Sequence, residues 1–205
     1  RSVYPHVGGV YCDTGLEYPE VKEHVKKQDN IEIIRPKLSF REVIDQYGWV
    51  FPSKETAEKI YYAKQGRPWA VNHMNGLNSD GSTSKFKVVY KKWKFLVDSP
   101  FKIHNKCCDI MKKKPFHDYI KSHKCGMFVG ILASESQLRQ QAWTRTGCNI
   151  FTHNRSQPLA FWTEQDVLQY IKDNNLAIPS VYGNIVETKD KLKLTGVDRT
   201  GCMFC

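Results

Sequence analysis

The chain has 205 residues, 40% of them hydrophobic and 12% aromatic, with a formal net charge of +10. That size suffices for one buried core and a small appendage. No run of about 18 apolar residues occurs, and residues 1–9 lack an apolar stretch, which argues against a membrane span and a secretory leader and for a soluble, cytoplasmic protein with no membrane partner.

In chain order, Val7–Cys12 reads as a buried strand running into a turn at Asp13-Thr14-Gly15. A helix follows, with Pro19 in its first turn, Glu20 and Glu23 near the positive end of its dipole, and Lys26 and Lys27 near the negative end. Ile31–Ile34 is a second strand, and Ser39 suits the cap of a helix carrying Phe40, Val43, Ile44 and Tyr47 at helical spacing. Strand, helix, strand, helix predicts a parallel α/β sheet. Lys54–Lys64 reads as a helix, Asn72–Ser84 as a mobile loop, and Lys85–Val97 as weakly helical.

Cys107–His123 reads as a helix that Pro115 could break, and Met127–Leu132 is the strongest buried-strand signal in the chain. A helix over Glu135–Trp143 is expected next. Thr163-Glu164-Gln165-Asp166 opens a further helix with a capping-box start and an inner face of Val167, Leu168 and Ile171. Residues 178–205 read as irregular chain leading to a cysteine turn.

Two features suggest chemistry. Residues 85–124 hold twelve lysines against three aspartates, a field that would gather a nucleotide's phosphates or a nucleic-acid backbone. Lysine in place of arginine argues against bidentate base readout. The second feature is cysteine. Seven of them, an odd number in a chain large enough to do without staples, weigh against a disulfide framework and toward metal or redox chemistry. Adjacent Cys107 and Cys108 can take neighbouring positions on a multi-iron cluster, and Cys202-Met203-Phe204-Cys205 is a C-x2-C pair, so four soft ligands are available. An iron–sulfur cluster, a structural zinc site and unliganded buried thiols all remain open, the adjacent pair fitting zinc less well than two separate knuckles would. Lys106, Lys112, Lys113 and Lys114 would offset a cluster's negative charge. Cys12, Cys125 and Cys148 read as small buried thiols.

The segment Val10-Tyr11-Cys12-Asp13-Thr14-Gly15 resembles the strand-to-turn motif of the phosphoadenosine phosphosulfate reductase family and related adenine nucleotide alpha hydrolases. Residues Cys107 to Pro115 resemble the C-C-x3-K-x2-P element of the iron–sulfur adenylylsulfate reductases, and Gly201 to Cys205 resembles their second cysteine pair. Gly130 to Arg139 is similar to the family's arginine loop, and Pro158-Leu159 through Trp162-Thr163-Glu164 to its P-L-x2-W-T-E segment. The resemblance implies a parallel-sheet, Rossmann-like fold, with a nucleotide-binding domain over 1–160 and a cluster-binding segment over 161–205. It implies a [4Fe–4S] cluster on Cys107, Cys108, Cys202 and Cys205, with zinc as the alternative. It also implies an adenine nucleotide (ATP, or a sulfonucleotide, APS or PAPS) bound near Asp13, Thr14, Gly15, Lys112, Ser136 and Arg139, at the carboxyl ends of parallel strands.

Three departures qualify the resemblance. No glycine- and serine-rich pyrophosphate loop precedes the Asp-Thr-Gly strand, so the first strand of the fold and its loop are missing from this sequence. No tail follows Cys205 to carry a reductase's catalytic cysteine, so no nucleophile is assigned and this chain alone is expected to be inactive. Leu132 and Ala133 stand where the reductases carry two basic residues. The first functional reading is a sulfonucleotide reductase-like enzyme of sulfur metabolism, served by a thiol reductant. Leu132 and Ala133 favour an alternative, ATP-dependent thiolation of tRNA or DNA supplied by a sulfur-donor protein. A third is a zinc-stabilised, non-enzymatic nucleic-acid-binding module whose Tyr90, Trp93 and Phe95 contact backbone and bases.

Overall fold

The computed structural model describes residues 4–85 and 87–202, leaving aside the side chains of 87–89. Strand β1 (Gly9–Cys12) and strand β2 (Ile31–Ile34) pair. The amide of Gly9 donates to the Asn30 carbonyl and that of Asp13 to the Ile34 carbonyl, both at 2.9 Å. Partner numbers that advance together are the mark of a parallel ladder, and the connection is helix α1 (Pro19–Lys26), started by its proline. The expected β-α-β opening is therefore present.

Two compact units interleave along the chain. One contains the described parts of 12–16, 33–115 and 202. Its larger core is helical, formed by α3 (Lys54–Lys64), α4 (Pro68–Met74) and α5 (Lys87–Trp93). Ala57, Ile60 and Ala63 of α3 meet Ala70 and Met74 of α4, with Tyr90, Leu96 and Ile103 completing the cluster. Small residues on two short helices let the backbones approach closely, and Ile60 and Met74 fill the space between. A second, smaller cluster joins Leu16, Val43 and Met111. Val43 reaches it from α2 (Phe40–Tyr47), whose start is fixed by a reciprocal cap: Ser39 Oγ accepts from the Glu42 amide at 3.3 Å and Glu42 Oε2 accepts from the Ser39 amide at 2.7 Å.

The stretch 72–84 is not the open loop its composition suggests. Its first residues finish α4, and Leu77 and Thr83 form an antiparallel bridge. Between them Asn78 Nδ2 donates to Ser82 Oγ at 2.8 Å, and Asp80 Oδ1 accepts from the Ser82 amide at 2.9 Å and hydroxyl at 2.7 Å. The polar residues that read as loop formers satisfy the tight turn's own backbone.

Cys107 to His123 is one continuous helix, as its sequence predicts, and Pro115 does not break it. Residues Asp109–Lys113 open into a wider π-type turn, with the Lys114 amide donating five residues back to Asp109, before regular α6 (Lys114–His123). Proline has no amide hydrogen and its ring crowds the carbonyl four residues back, that of Met111, which a wider turn just before Pro115 relieves.

The other unit contains the described parts of 1–11, 17–32 and 116–201. Its sheet has the order β3 (Met127–Phe128), β5 (Arg155–Ser156), β4 (Asn149–Ile150), with β3 parallel and β4 antiparallel to β5. The sheets are thus mixed, not purely parallel. The strand expected over 127–132 is shorter than its apolar run, because β3 lies at the sheet's edge and Phe128 is 58% exposed, its ring stacked on Tyr4 at 6.1 Å. Helices α7 (Gln137–Thr146) and α8 (Glu164–Asp173) follow. Residues read as irregular form a hairpin, β6 (Ile185–Glu187) with β7 (Leu192–Leu194). The Gln165 amide locks it to α8, accepting from the Leu192 amide at 2.8 Å and donating to the Leu192 carbonyl at 3.0 Å. Among the described residues no helix is long and apolar enough to cross a membrane.

Candidate functional site

The carboxyl end of β1 runs directly into a turn built by its own side chains. Asp13 Oδ1 accepts from the Gly15 amide at 3.2 Å, and Thr14 Oγ1 accepts from the Leu16 amide at 3.2 Å. Gly15 sits at φ 75°, where an L side chain would be strained. Asp13 and Thr14 are 6% and 7% exposed, so their side chains shape the turn more than they face solvent. Arg35, at the end of β2, places Nε 3.7 Å from Asp13 Oδ2 while its own side chain stays largely exposed. Sequence reasoning missed this cation. Its position just past a parallel strand's end, level with the Asp-Thr-Gly turn, was the available signal.

Beneath that turn, Leu16 belongs to the small buried cluster with Val43 and Met111, and Cys107 and Cys202 both pack against this cluster. Cysteines 95 positions apart in sequence thus share one apolar floor. Cys108 is half-buried beside Cys107, and Lys112, also half-buried, projects from the wide turn that follows. Lys113 pairs with Asp109 at 2.6 Å, which raises the lysine's affinity for its proton and lowers that of the carboxylate. Cys205 lies outside the described residues. Among the described residues, no three of His, Cys, Asp and Glu converge as a metal-ligating group.

The segment similar to an arginine loop lies in the other unit. Glu135 ends a short 3-10 turn that begins at Ala133, its Oε1 accepting from the Leu132 amide at 3.2 Å. Ser136 caps α7, accepting the Arg139 amide at 3.3 Å. Arg139 pairs with the Glu135 carboxylate, and Arg199 Nη2 donates to the Glu135 carbonyl at 3.3 Å. A cavity of about 190 Å³ opens here, lined in part by Ile131, Ala133, Arg139, Thr146 and Arg155. Arg155, which the sequence did not single out, thus brings a second guanidinium to this cavity. Ser136 and Arg139 are exposed, whereas Ala133 is 6% exposed and faces inward. Leu132 and Ala133 therefore add apolar packing where the resembled loops carry cations.

Of the lysine-rich segment, Lys91, Lys92, Lys94, Lys102 and Lys106 are exposed. Tyr90 is not available to a base, contrary to expectation. It is 6% exposed, and its hydroxyl donates to Glu55 Oε1 at 2.7 Å while Lys59 holds the same oxygen at 2.7 Å.

The described residues define a mixed α/β protein whose parallel opening pair ends in an Asp-Thr-Gly turn, its Asp13 and Thr14 buried, near a cysteine-bearing helix. Residues 71–205 match the phosphoadenosine phosphosulfate reductase domain, and the chain belongs to that family. The matched span contains Cys107, Cys108, Lys112, Ser136, Arg139, Cys202 and Cys205, while Asp13, Thr14 and Gly15 precede it. Among curated proteins, the adenosine 5'-phosphosulfate reductase of Lysinibacillus sphaericus (strain C3-41) is 35% identical to it over 72 residues. That stretch covers 35% of this chain and 30% of the relative, so the chain spans about a third of the relative's length.

Proposed function

We propose that this protein acts on an adenine sulfonucleotide, with a [4Fe–4S] cluster held by Cys107, Cys108, Cys202 and Cys205. The observation that carries this reading is the packing of Cys107 and Cys202 against one buried cluster, Leu16, Val43 and Met111, at the foot of the Asp-Thr-Gly turn. One cysteine of each pair thereby meets the same floor, and four thiolates are the donor set iron–sulfur clusters take. Bound there, the cluster would supply an electrostatic centre that tunes sulfur chemistry close to the nucleotide.

The chain's own residues would then divide the work. Asp13, Thr14 and Gly15 form a turn whose shape is fixed by internal hydrogen bonds, so a nucleotide meets a surface that need not reorganise. Lys112 would add a point charge to phosphate or sulfate oxygens, and the Arg139 guanidinium, presented from the first turn of the Ser136-capped helix, has the fork that suits such oxygens. In such a reaction a thiolate attacks the sulfonucleotide's sulfur and displaces AMP from APS, or adenosine 3',5'-bisphosphate from PAPS, leaving an S-sulfo group. A second thiol then attacks the first sulfur and releases sulfite as a disulfide forms. The nucleophile is not assigned to any residue of this chain.

The inward-facing Ala133 and half-buried Leu132 favour a second reading, ATP-dependent thiolation of a nucleic acid with release of pyrophosphate. Iron, zinc and acid-labile sulfide analysis of anaerobically purified full-length protein, with a Cys107→Ser/Cys202→Ser variant as control, tests the cluster. About four irons and four sulfides per chain, lost in the variant, are expected; one zinc without sulfide would reject it. Sulfite released from APS or PAPS in the presence of a thiol supports reduction, and pyrophosphate released from ATP supports thiolation.

A further inference from the structure

Phe51, Trp93 and Phe95 form a row of rings on the helical unit. Phe51 meets Trp93 edge-on with centroids 5.1 Å apart, and Trp93 lies 6.2 Å from Phe95. Phe51 is 47% exposed and Phe95 62% exposed, while Trp93 is half-buried with its inner side against the core of α3, α4 and α5. Such exposure is costly for large apolar rings, and three together make a patch, not the scattered residues that any surface carries. The charge along residues 85–106 is predominantly positive. Lys92 Nζ stands 5.2 Å from the Trp93 ring centroid, Lys91 and Lys94 flank it, and Asp98 is the only acidic residue from 85 to 106.

We propose that this surface binds single-stranded nucleic acid, the rings stacking on unpaired bases and Lys91, Lys92 and Lys94 following the phosphates. Every base has a π face, so stacking accepts any sequence, and lysines without arginines supply charge without a bidentate code. A paired duplex hides its base faces and would keep only the electrostatic contribution. An acidic protein would use the lysines but leave the rings exposed. Trp93 is anchored on the core at a fixed angle to Phe51, which suits a flat base better than insertion among acyl chains. The proposal rests on neither reading of the nucleotide chemistry. Binding is measured without ATP or sulfonucleotide, so the two fail separately.

The test is fluorescence anisotropy of full-length protein with labelled oligothymidylate and oligouridylate of about 20 nucleotides, longer than one binding site. Arms with duplex DNA, heparin and vesicles of anionic lipid run alongside. Phe95→Ala should weaken oligonucleotide binding about tenfold, the loss of one stacked base, with an unchanged melting temperature because Phe95 is mostly exposed. Lys92→Gln/Lys94→Gln should reduce the salt slope, log K against log salt, by about 1.4. Comparison of the two oligonucleotides tells whether DNA or RNA is preferred. Heparin binding as tightly as the oligonucleotides, with Phe95→Ala having no effect, would reduce the surface to a polyanion field and overturn the proposal. Phe95-dependent capture of vesicles without oligonucleotide binding, or no oligonucleotide binding at about 50 mM salt, would overturn it as well.

Discussion

The thiol of Cys12 lies 3.3 Å from the carbonyl oxygen of Met111, joining the end of β1 to the wide helical turn that follows the Cys107–Cys108 pair. In a regular α-helix that carbonyl would receive the amide hydrogen of residue 115, which proline lacks. The wide turn and the thiol contact therefore have a common origin in Pro115. Restoring the amide with Pro115→Ala would let the turn tighten to regular α geometry, rotating the preceding residues by about 100°. We expect helix content by circular dichroism to be unchanged while iron per chain falls severalfold. Iron retained in full would show that the turn's width does not position Cys107 and Cys108.

Glu55 lies between two donors, Lys59 and Tyr90, and its carboxyl pKa is lowered, first by the lysine's hydrogen bond and then by the tyrosine's. A carboxylate with a lowered folded pKa stabilises the fold fully above the unfolded value, about 4.3 for Glu, and less as pH falls through the folded value. Glu55→Gln should therefore lower the melting temperature at pH 7, where Lys59 and Tyr90 lose a charged acceptor. As pH falls through that lowered folded value, variant and parent should converge. A constant difference across that range would mean the loss is one of packing.

Much of this was legible in the sequence, for reasons that particular residues explain. Ser39 as a cap and Thr163 with Asp166 as a capping box announced their helices because a cap uses only neighbours in sequence. Helix α4 was missed although Pro68 stands in its first turn, because its buried face is only Ala70 and Met74 and the polar residues after it read as a loop. The hairpin β6–β7 was missed because its strands are three residues each and are held by the Gln165 side chain, 27 positions before Leu192. At the site, the cysteine spacing marked the four thiols. The floor of Leu16, Val43 and Met111 that Cys107 and Cys202 share joins three distant segments, and no local pattern announces such a contact.

Gly48 ends α2 at φ 109° and passes against the Lys102 backbone, where a β-carbon would overlap the carbonyl. That approach allows the Trp49 amide to donate to Lys102 O at 2.8 Å and the His104 amide to Trp49 O at 3.0 Å. Gly48→Ala meets both backbone strain and a clash, so a loss of at least about 2 kcal/mol is expected in urea unfolding. A cost below about 0.5 kcal/mol would show that the strand-like contact at Trp49 and Ile103 can shift freely.

His104 is 2% exposed, and its Nδ1 accepts from the Lys106 amide at 2.7 Å, which fixes the remaining hydrogen on Nε2. Burial lowers its pKa most strongly; a backbone contact with Gly48 opposes the shift and the Lys106 charge adds to it. The folded protein thus binds this proton less readily than the unfolded chain. The resulting stability is complete above the unfolded value, about 6.5, and declines as pH falls below it toward the lowered folded value. His104→Asn keeps an acceptor for Lys106 but cannot titrate. Its melting temperature should fall less between pH 7 and 5 than the parent's; parallel curves would place the pH dependence elsewhere.

Glu135 restrains the loop that Arg139 follows, since one carboxylate oxygen holds the Leu132 amide and the other pairs with Arg139. An anion recruited by Arg139 would have to share the guanidinium with this carboxylate. Glu135→Gln preserves an oxygen for Leu132 but removes the competing charge, so sulfonucleotide affinity by calorimetry should rise a fewfold. Arg139→Ala should lower it about 10- to 100-fold, as expected for a hydrogen bond to a charged group of about 1.5–3 kcal/mol. Arg139→Lys should recover only part of that loss, because a lysine keeps the charge and loses the fork. If all three variants bind like the parent, Arg139 does no more than pair with Glu135 on the helix surface, and the anion contact belongs to another residue such as Arg155.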